Sequence, residues 1–330
     1  MKRMLSQLFS IARVTAVEGL QQPVCLLLTL TAVSLTVLQP LTQLNTFGES
    51  GRMARDCGLA FMLMFGIFVL AFAAGETLAA EIRRGTVAVA LSKPLHRAVF
   101  LAGKFLGVAA IAAVFAWCVG FSVLFAERCS EHFIEEENAA DYVRDTLCGG
   151  LALLAGPLAL ASAAALNRCK NFRFGLSFFA SLATMQPLIM LAIGFYSRTG
   201  KYLGIEGYSS QIDWRILPAA LLVFMLLLVF SSILTALATR LQSGAAAAAG
   251  FAILFAGFMS ESQFGASTTL FGKFMYCLIP DVQNFWIIDA LSNGGMIAWA
   301  YIANCAIYAL LTITFILSLG HASLATRDIG

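Results

Sequence analysis

The sequence predicts an all-α fold: a polytopic transmembrane helix bundle of about eight spans, with both termini cytoplasmic. Three observations lead there. Of the 330 residues, 60% are hydrophobic and only 12% charged, against roughly 25% charged in soluble domains. Mean hydropathy is +0.84, too apolar for a water-covered surface but suited to lipid. The apolar residues form long continuous runs without strict alternation. In lipid a run must pair its own backbone groups, which a helix does and a lone strand cannot.

A spanning helix needs about 20 mostly apolar residues. The candidates are 23–41, 57–80, 99–126, 148–166, 174–196, 216–239, 245–259 and 295–319. The third is long enough to tilt or to extend past the membrane, and the seventh is short and Ala-rich. Lys2 and Arg3 look like the start of a signal peptide, but the first long apolar run begins only at Pro23 and no cleavage site follows. The first span is therefore expected to be retained.

Charge sets the orientation. With the N-terminus inside, thirteen of the 21 basic residues and four of the 18 acidic ones fall on the cytoplasmic face. That face carries +9 and the opposite one −6, which together give the chain's +3. The positive-inside rule selects this topology and rejects its inverse. The basic face suits anionic membrane lipids.

Residues 1–330 read as one transmembrane domain with four segments set apart. Residues 1–22 are partly amphipathic, with Leu5, Leu8, Phe9, Ala12, Ala16 and Leu20 on one face. They are expected to form a helix on the cytoplasmic interface; a helical extension of the first span is the alternative. Residues 127–147 form an acidic external loop, with Glu135, Glu136 and Glu137 in a row, read as a solvated charge run. Residues 260–294 are external but too apolar for free coil, and Pro280 splits them. Two short helices dipping back into the membrane, or two lying on its surface, both fit. The fourth segment is the cytoplasmic loop 81–104.

Catalytic chemistry is missing. None of the eight cysteines forms a CxxC, and His96, His132 and His321 are far apart, so no metal site or cofactor is expected. If the external side is oxidising, Cys129 and Cys148 could pair and close the acidic loop; ordinary free thiols are the alternative. No Ser/His/Asp arrangement or GxSxG occurs. Gly103-Lys104 and Gly272-Lys273 lack the earlier glycine of a phosphate-binding loop, with Ala98 and Ser267 in its place. Ionisable residues within the spans are reduced to Glu76 and Lys104 near span ends, where snorkelling can accommodate them. A proton- or ion-coupled carrier, which usually needs buried ionisable groups at the midplane, is disfavoured. Nothing points to nucleic acid.

The most informative stretch is the loop 81–104, EIRRGTVAVALSKPLHRAVFLAGK. Gly85, after Arg84, can stop the second span in the left-handed region, and Thr86 can cap a new short helix. Val87, Val89 and Leu91 are too apolar for a solvated loop. Pro94 fits a helix's first turn, and Arg97 and Lys104 are expected at the headgroup level. A short, partly apolar cytoplasmic helix is suited to dock in a partner's groove.

This stretch resembles the permeases of type-2 ATP-binding-cassette transporters. Their pattern, Glu-x-x-x-Gly-Thr, Leu-x-x-Pro-x-x-Arg and Gly-Lys-x-x-Gly, is matched by Glu81, Gly85, Thr86, Leu91, Pro94, Arg97, Gly103, Lys104 and Gly107. The subset described with multi-copper enzyme maturation and gliding motility is the most similar. Weaker likeness extends over nearly the whole chain, through Gly257, Met259 and Ser260, then Ile279-Pro280-Asp281, Phe285 and Arg327-Asp328-Ile329. The chain departs from the family in having eight spans rather than six, the extra pair being 148–166 and 174–196. Its C-terminus also lacks the aromatic Phe-x-x-Arg ending.

The resemblance implies a bacterial inner (plasma) membrane protein without enzymatic activity of its own. It implies a second permease copy, in a homo- or heterodimer, and a separate ATPase subunit on the cytoplasmic face. Residues 81–104 would be the coupling helix, with Glu81 and Arg97 orienting it and Gly103/Gly107 packing closely as a GxxxG pair. A non-transporting membrane scaffold or assembly factor is the alternative from another class.

Overall fold

The computed structural model describes residues 2–43, 48–83, 96–136, 139–208, 210–265, 279–287 and 295–326. Its helices are α1 (Lys2–Leu20), α2 (Pro23–Thr42), α3 (Ser50–Ala74), α4 (Ala80–Arg83), α5 (Arg97–Cys129), α6 (Thr146–Lys170), α7 (Phe174–Ile193), α8 (Ile216–Ala238), α9 (Ser243–Ser260) and α10 (Trp299–Ala325). A π turn, Gly75–Ala79, joins α3 to α4 without a break. Among the described residues eight helices are long and apolar enough to cross a membrane, starting at Pro23, Ser50, Arg97, Thr146, Phe174, Ile216, Ser243 and Trp299. The all-α polytopic bundle is therefore observed.

Local chemistry explains the helix limits. Pro23 opens α2, where its missing N–H costs nothing. Thr29 and Thr36 inside α2 return their hydroxyls to the carbonyls of Cys25 and Ala32 at 2.8 and 2.7 Å, so no polar group is stranded among apolar neighbours. Asn171 ends α6 at φ 52°, a left-handed conformation asparagine tolerates, and so sets the tight turn into α7.

The centre of the bundle is α3, α5 and α8. Their most apolar windows are 61%, 67% and 67% buried, against 22% for α10. Phe115, Phe125, Phe230, Leu59, Met62 and Ile67 are fully enclosed there. Helices α6, α7, α9 and α10 form the periphery and keep large apolar side chains such as Leu154, Leu188, Phe255 and Leu311 exposed, as lipid-facing surfaces do.

Two expectations need correction, and a third segment takes a definite form. Helix α1 does not lie across the bundle's end. Ile11 and Thr15 face Gly103 and Gly107, so α1 runs alongside the first half of α5 in the same direction. A Cβ on Gly107 would sit 2.5 Å from Thr15 Cβ and 2.8 Å from the Ala12 carbonyl, so the missing side chains create the groove that holds α1. Helix α1 is set off from α2 by a break at Gln21–Gln22 and packs on α5.

The acidic segment 127–147 is not a plain solvated loop. It holds an antiparallel hairpin, β1 (His132–Glu136) and β2 (Ala139–Val143), with Phe133 opposite Tyr142. Its first and last acids, Glu127 and Asp145, are buried.

Within 260–294, the described residues 279–287 turn back into the bundle. Val282 and Phe285 are buried, and Pro280 and Val282 rest on Gly257 of α9. The Asp281 N–H donates to the Tyr308 hydroxyl at 2.9 Å. Tyr308 lies nine residues, about 13 Å, in from the start of α10. Residues 279–287 thus pack inside the bundle around a single 3₁₀ turn, Gln283–Phe285, and residues 266–278 and 288–294 of the segment in which two short helices were expected lie outside the described residues.

Candidate functional site

The sequence points to 81–104. Arg84, Gly85, Thr86, Leu91 and Pro94 lie outside the described residues, whereas Glu81, Arg97, Gly103 and Lys104 are described. The structure brings Glu81 and Lys104 together. Lys104 Nζ sits 2.8 Å from Glu81 Oε1, donates to the Thr77 carbonyl at 2.8 Å, and lies 5.7 Å from the Phe100 ring centre. Lys104 is only 2% exposed, so it does not snorkel to the headgroups as expected. The π turn explains how it is satisfied. Backbone pairing lengthens by one residue there, with the Ala80 N–H reaching back to the Gly75 carbonyl, and the Thr77 carbonyl of this turn accepts from Lys104.

Arg97 is held differently. Its Nη1 donates to the Leu324 and Ala325 carbonyls at 3.3 and 3.0 Å. Arg240, in the turn between α8 and α9, donates to the Ser323 carbonyl at 3.0 Å. The last carbonyls of a helix lack intrahelical partners and carry partial negative charge, so two cations cap α10 here. Arg97 thus ties the start of α5 to the end of α10, a contact no local motif announces. Both flanks of 84–95 are anchored in the bundle.

A second cluster, at the opposite end, was missed by the sequence reading. Arg128 is fully buried; its Nε donates to Asp145 Oδ2 at 2.8 Å and its Nη2 to the Tyr196 carbonyl at 2.7 Å. Asp145 Oδ1 also caps α6 by accepting the Cys148 N–H at 2.8 Å. Arg198 lies 3.5 Å from Glu127 Oε1, and His132 Nε2 lies 3.1 Å from the same oxygen. Arg55 at the start of α3 reaches Asp213 Oδ2 at 2.9 Å, and Arg215 pairs with Asp213 at 2.8 Å. These pairs join α3, α5, α6 and the link from α7 to α8.

The network shifts its members. Burial lowers the Arg198 pKa from its ordinary value, Glu127 opposes that shift, and the nearby Arg128 charge adds to it. Burial pushes Asp213 up, but hydrogen bonds and charge from Arg215, with the charge of Arg55, outweigh it and hold Asp213 below its ordinary 3.8. The missed signal was the placement of Arg55, Glu127, Arg128 and Asp145 at or beside the ends of apolar runs. Their pairing partners are distant in sequence.

Cys129 and Cys148, both buried at this end, are free thiols. No group of three or more metal-ligating side chains occurs among the described residues. Asp281, expected in an external loop, is buried at bundle depth. Its carboxylate accepts from the Gln283 N–H at 3.0 Å and from Asn284 Nδ2 at 2.9 Å, closing the turn at 283–285. An ionisable group therefore does lie inside the bundle, and its oxygens are engaged in local structure. Comparison with protein-family models and with curated proteins finds no match.

Proposed function

We propose that the chain is the permease subunit of an ATP-binding-cassette transporter, energised by a separate ATPase subunit, in the bacterial inner membrane. One observation carries this reading: the sequence has the ordered set Glu81, Gly85, Thr86, Leu91, Pro94, Arg97, Gly103, Lys104, and the two helices that flank residues 84–95 are tied into the bundle. A segment that transmits force from a partner needs rigid attachments, and Glu81–Lys104 and Arg97–α10 supply them. The basic end, with Arg97 and Arg240, is the cytoplasmic one under the positive-inside rule. The spans carry the cargo path, and a second copy completes it.

The test is affinity purification of the full chain from its native membranes. An ATP-binding chain should co-purify, and Arg97→Glu or Gly85→Pro should abolish substrate-stimulated ATP hydrolysis by the complex in liposomes. A complex without any ATP-binding chain, with both variants fully functional, refutes the proposal in favour of a non-transporting scaffold.

A further inference from the structure

The charged network leaves hydrogen-bonding capacity unused next to a cavity. Arg128 uses Nε and Nη2, but its Nη1 has no partner among the described residues, although the side chain is fully buried. Arg198 Nη1 is likewise buried without a partner among them, and the two guanidinium charges are close enough to oppose each other. A buried guanidinium nitrogen without an acceptor has lost its hydrogen bonds to water and gained none, so the site favours any group that brings an acceptor oxygen. Asp145 already accepts at both oxygens, from Arg128 Nε and from the Cys148 N–H, and the buried Glu127 Oε2, which has no partner among the described residues, does not line the cavity.

Arg128 and Asp145 line a cavity of about 300 Å³ between α6 and α7. Its other walls are largely apolar, including Leu147, Leu151, Ala192 and Ile193. Leu147 and Leu151 are also exposed on the bundle's periphery, so the cavity lies beside the surface that meets lipid. It sits where α5 and α7 end and α6 begins, the level of a membrane interface.

We propose that this cavity binds one membrane lipid by its oxyanion, phosphate or carboxylate, with the acyl chain running along Leu147 and Leu151. The oxyanion fills the unused donors of Arg128 and takes the short charge-assisted bonds arginine favours. The apolar walls account for the chain. This site is independent of the coupling loop, so it stands or falls separately from the permease reading.

The experiment uses the purified full chain in a neutral detergent and titrates dodecyl phosphate, dodecanol and inorganic phosphate, reading saturable shifts of the thermal unfolding midpoint. Dodecyl phosphate should bind at least tenfold more tightly than either dodecanol or phosphate alone. Leu151→Trp, which fills the cavity without touching an ion pair, should weaken that binding at least tenfold, as should Arg128→Gln. If Arg128→Gln does not fold, Leu151→Trp decides. Equal shifts from dodecanol would show chain packing only, and equal affinity for phosphate would show a free-anion site. Unchanged binding by Leu151→Trp would place the ligand elsewhere. Each of these results overturns the proposal.

Discussion

Replacing Lys104 by Met removes a buried cation from the anchor that holds α4 to α5. Lys104 is 2% exposed and makes two contacts at 2.8 Å, to Glu81 and to the Thr77 carbonyl. Breaking a buried ion pair by deleting one partner costs about 3–5 kcal/mol, because the other charge is left uncompensated. Here the Glu81 side chain is 30% exposed, so water relieves part of that cost. The freed Thr77 carbonyl adds a share, since a hydrogen bond to a charged group is worth about 1.5–3 kcal/mol. A net loss of about 3 kcal/mol follows, or about 6 °C in unfolding midpoint at roughly 2 °C per kcal/mol for a chain of this size. The double variant Lys104→Met with Glu81→Met should recover most of the loss, because a buried pair replaced by apolar groups is nearly neutral. Thermal unfolding of the four proteins in one detergent measures the cycle. A single variant within 1 °C of the parent, or a double variant no better than the single, refutes the argument.

Three further outcomes are expected. Asp213→Asn lowers the unfolding midpoint at pH 7; because Asp213 is held below its ordinary 3.8, its contribution is present above that pH and lost below it, so parent and variant should converge as the pH falls under 3.8. Gly107→Leu drives a side chain into Thr15 and the Ala12 carbonyl, so α1 should detach and trypsin should cut faster after the exposed Arg13; an unchanged rate would mean α1 is held elsewhere. Gly257→Val collides with Val282 and the Pro280 carbonyl, so a cysteine at position 282, sealed in the parent, should react with a maleimide only in the Gly257→Val background.

The sequence alone determined the class of this protein and the course of its chain. Eight apolar runs, limited by residues such as Pro23 and Asn171, need only local hydrogen bonding and burial in lipid to become helices, and both conditions are visible in composition and spacing. The close pair Gly103/Gly107 was legible for the same reason, because a missing side chain is written in the sequence even when the helix that fills the gap is not. Tertiary structure decided where the charges go. Lys104 looked like a snorkelling residue until the π turn presented Glu81 and Thr77 to it. Arg97 looked like a headgroup contact until the end of α10 arrived beside it. Glu127 and Asp145 looked solvated, yet each meets an arginine, and Arg198 and Arg55 reach theirs across 71 and 158 residues of chain. Hydrophobic runs announce themselves because lipid acts on each segment separately. An ion pair depends on two segments meeting, and no periodicity in either one records that.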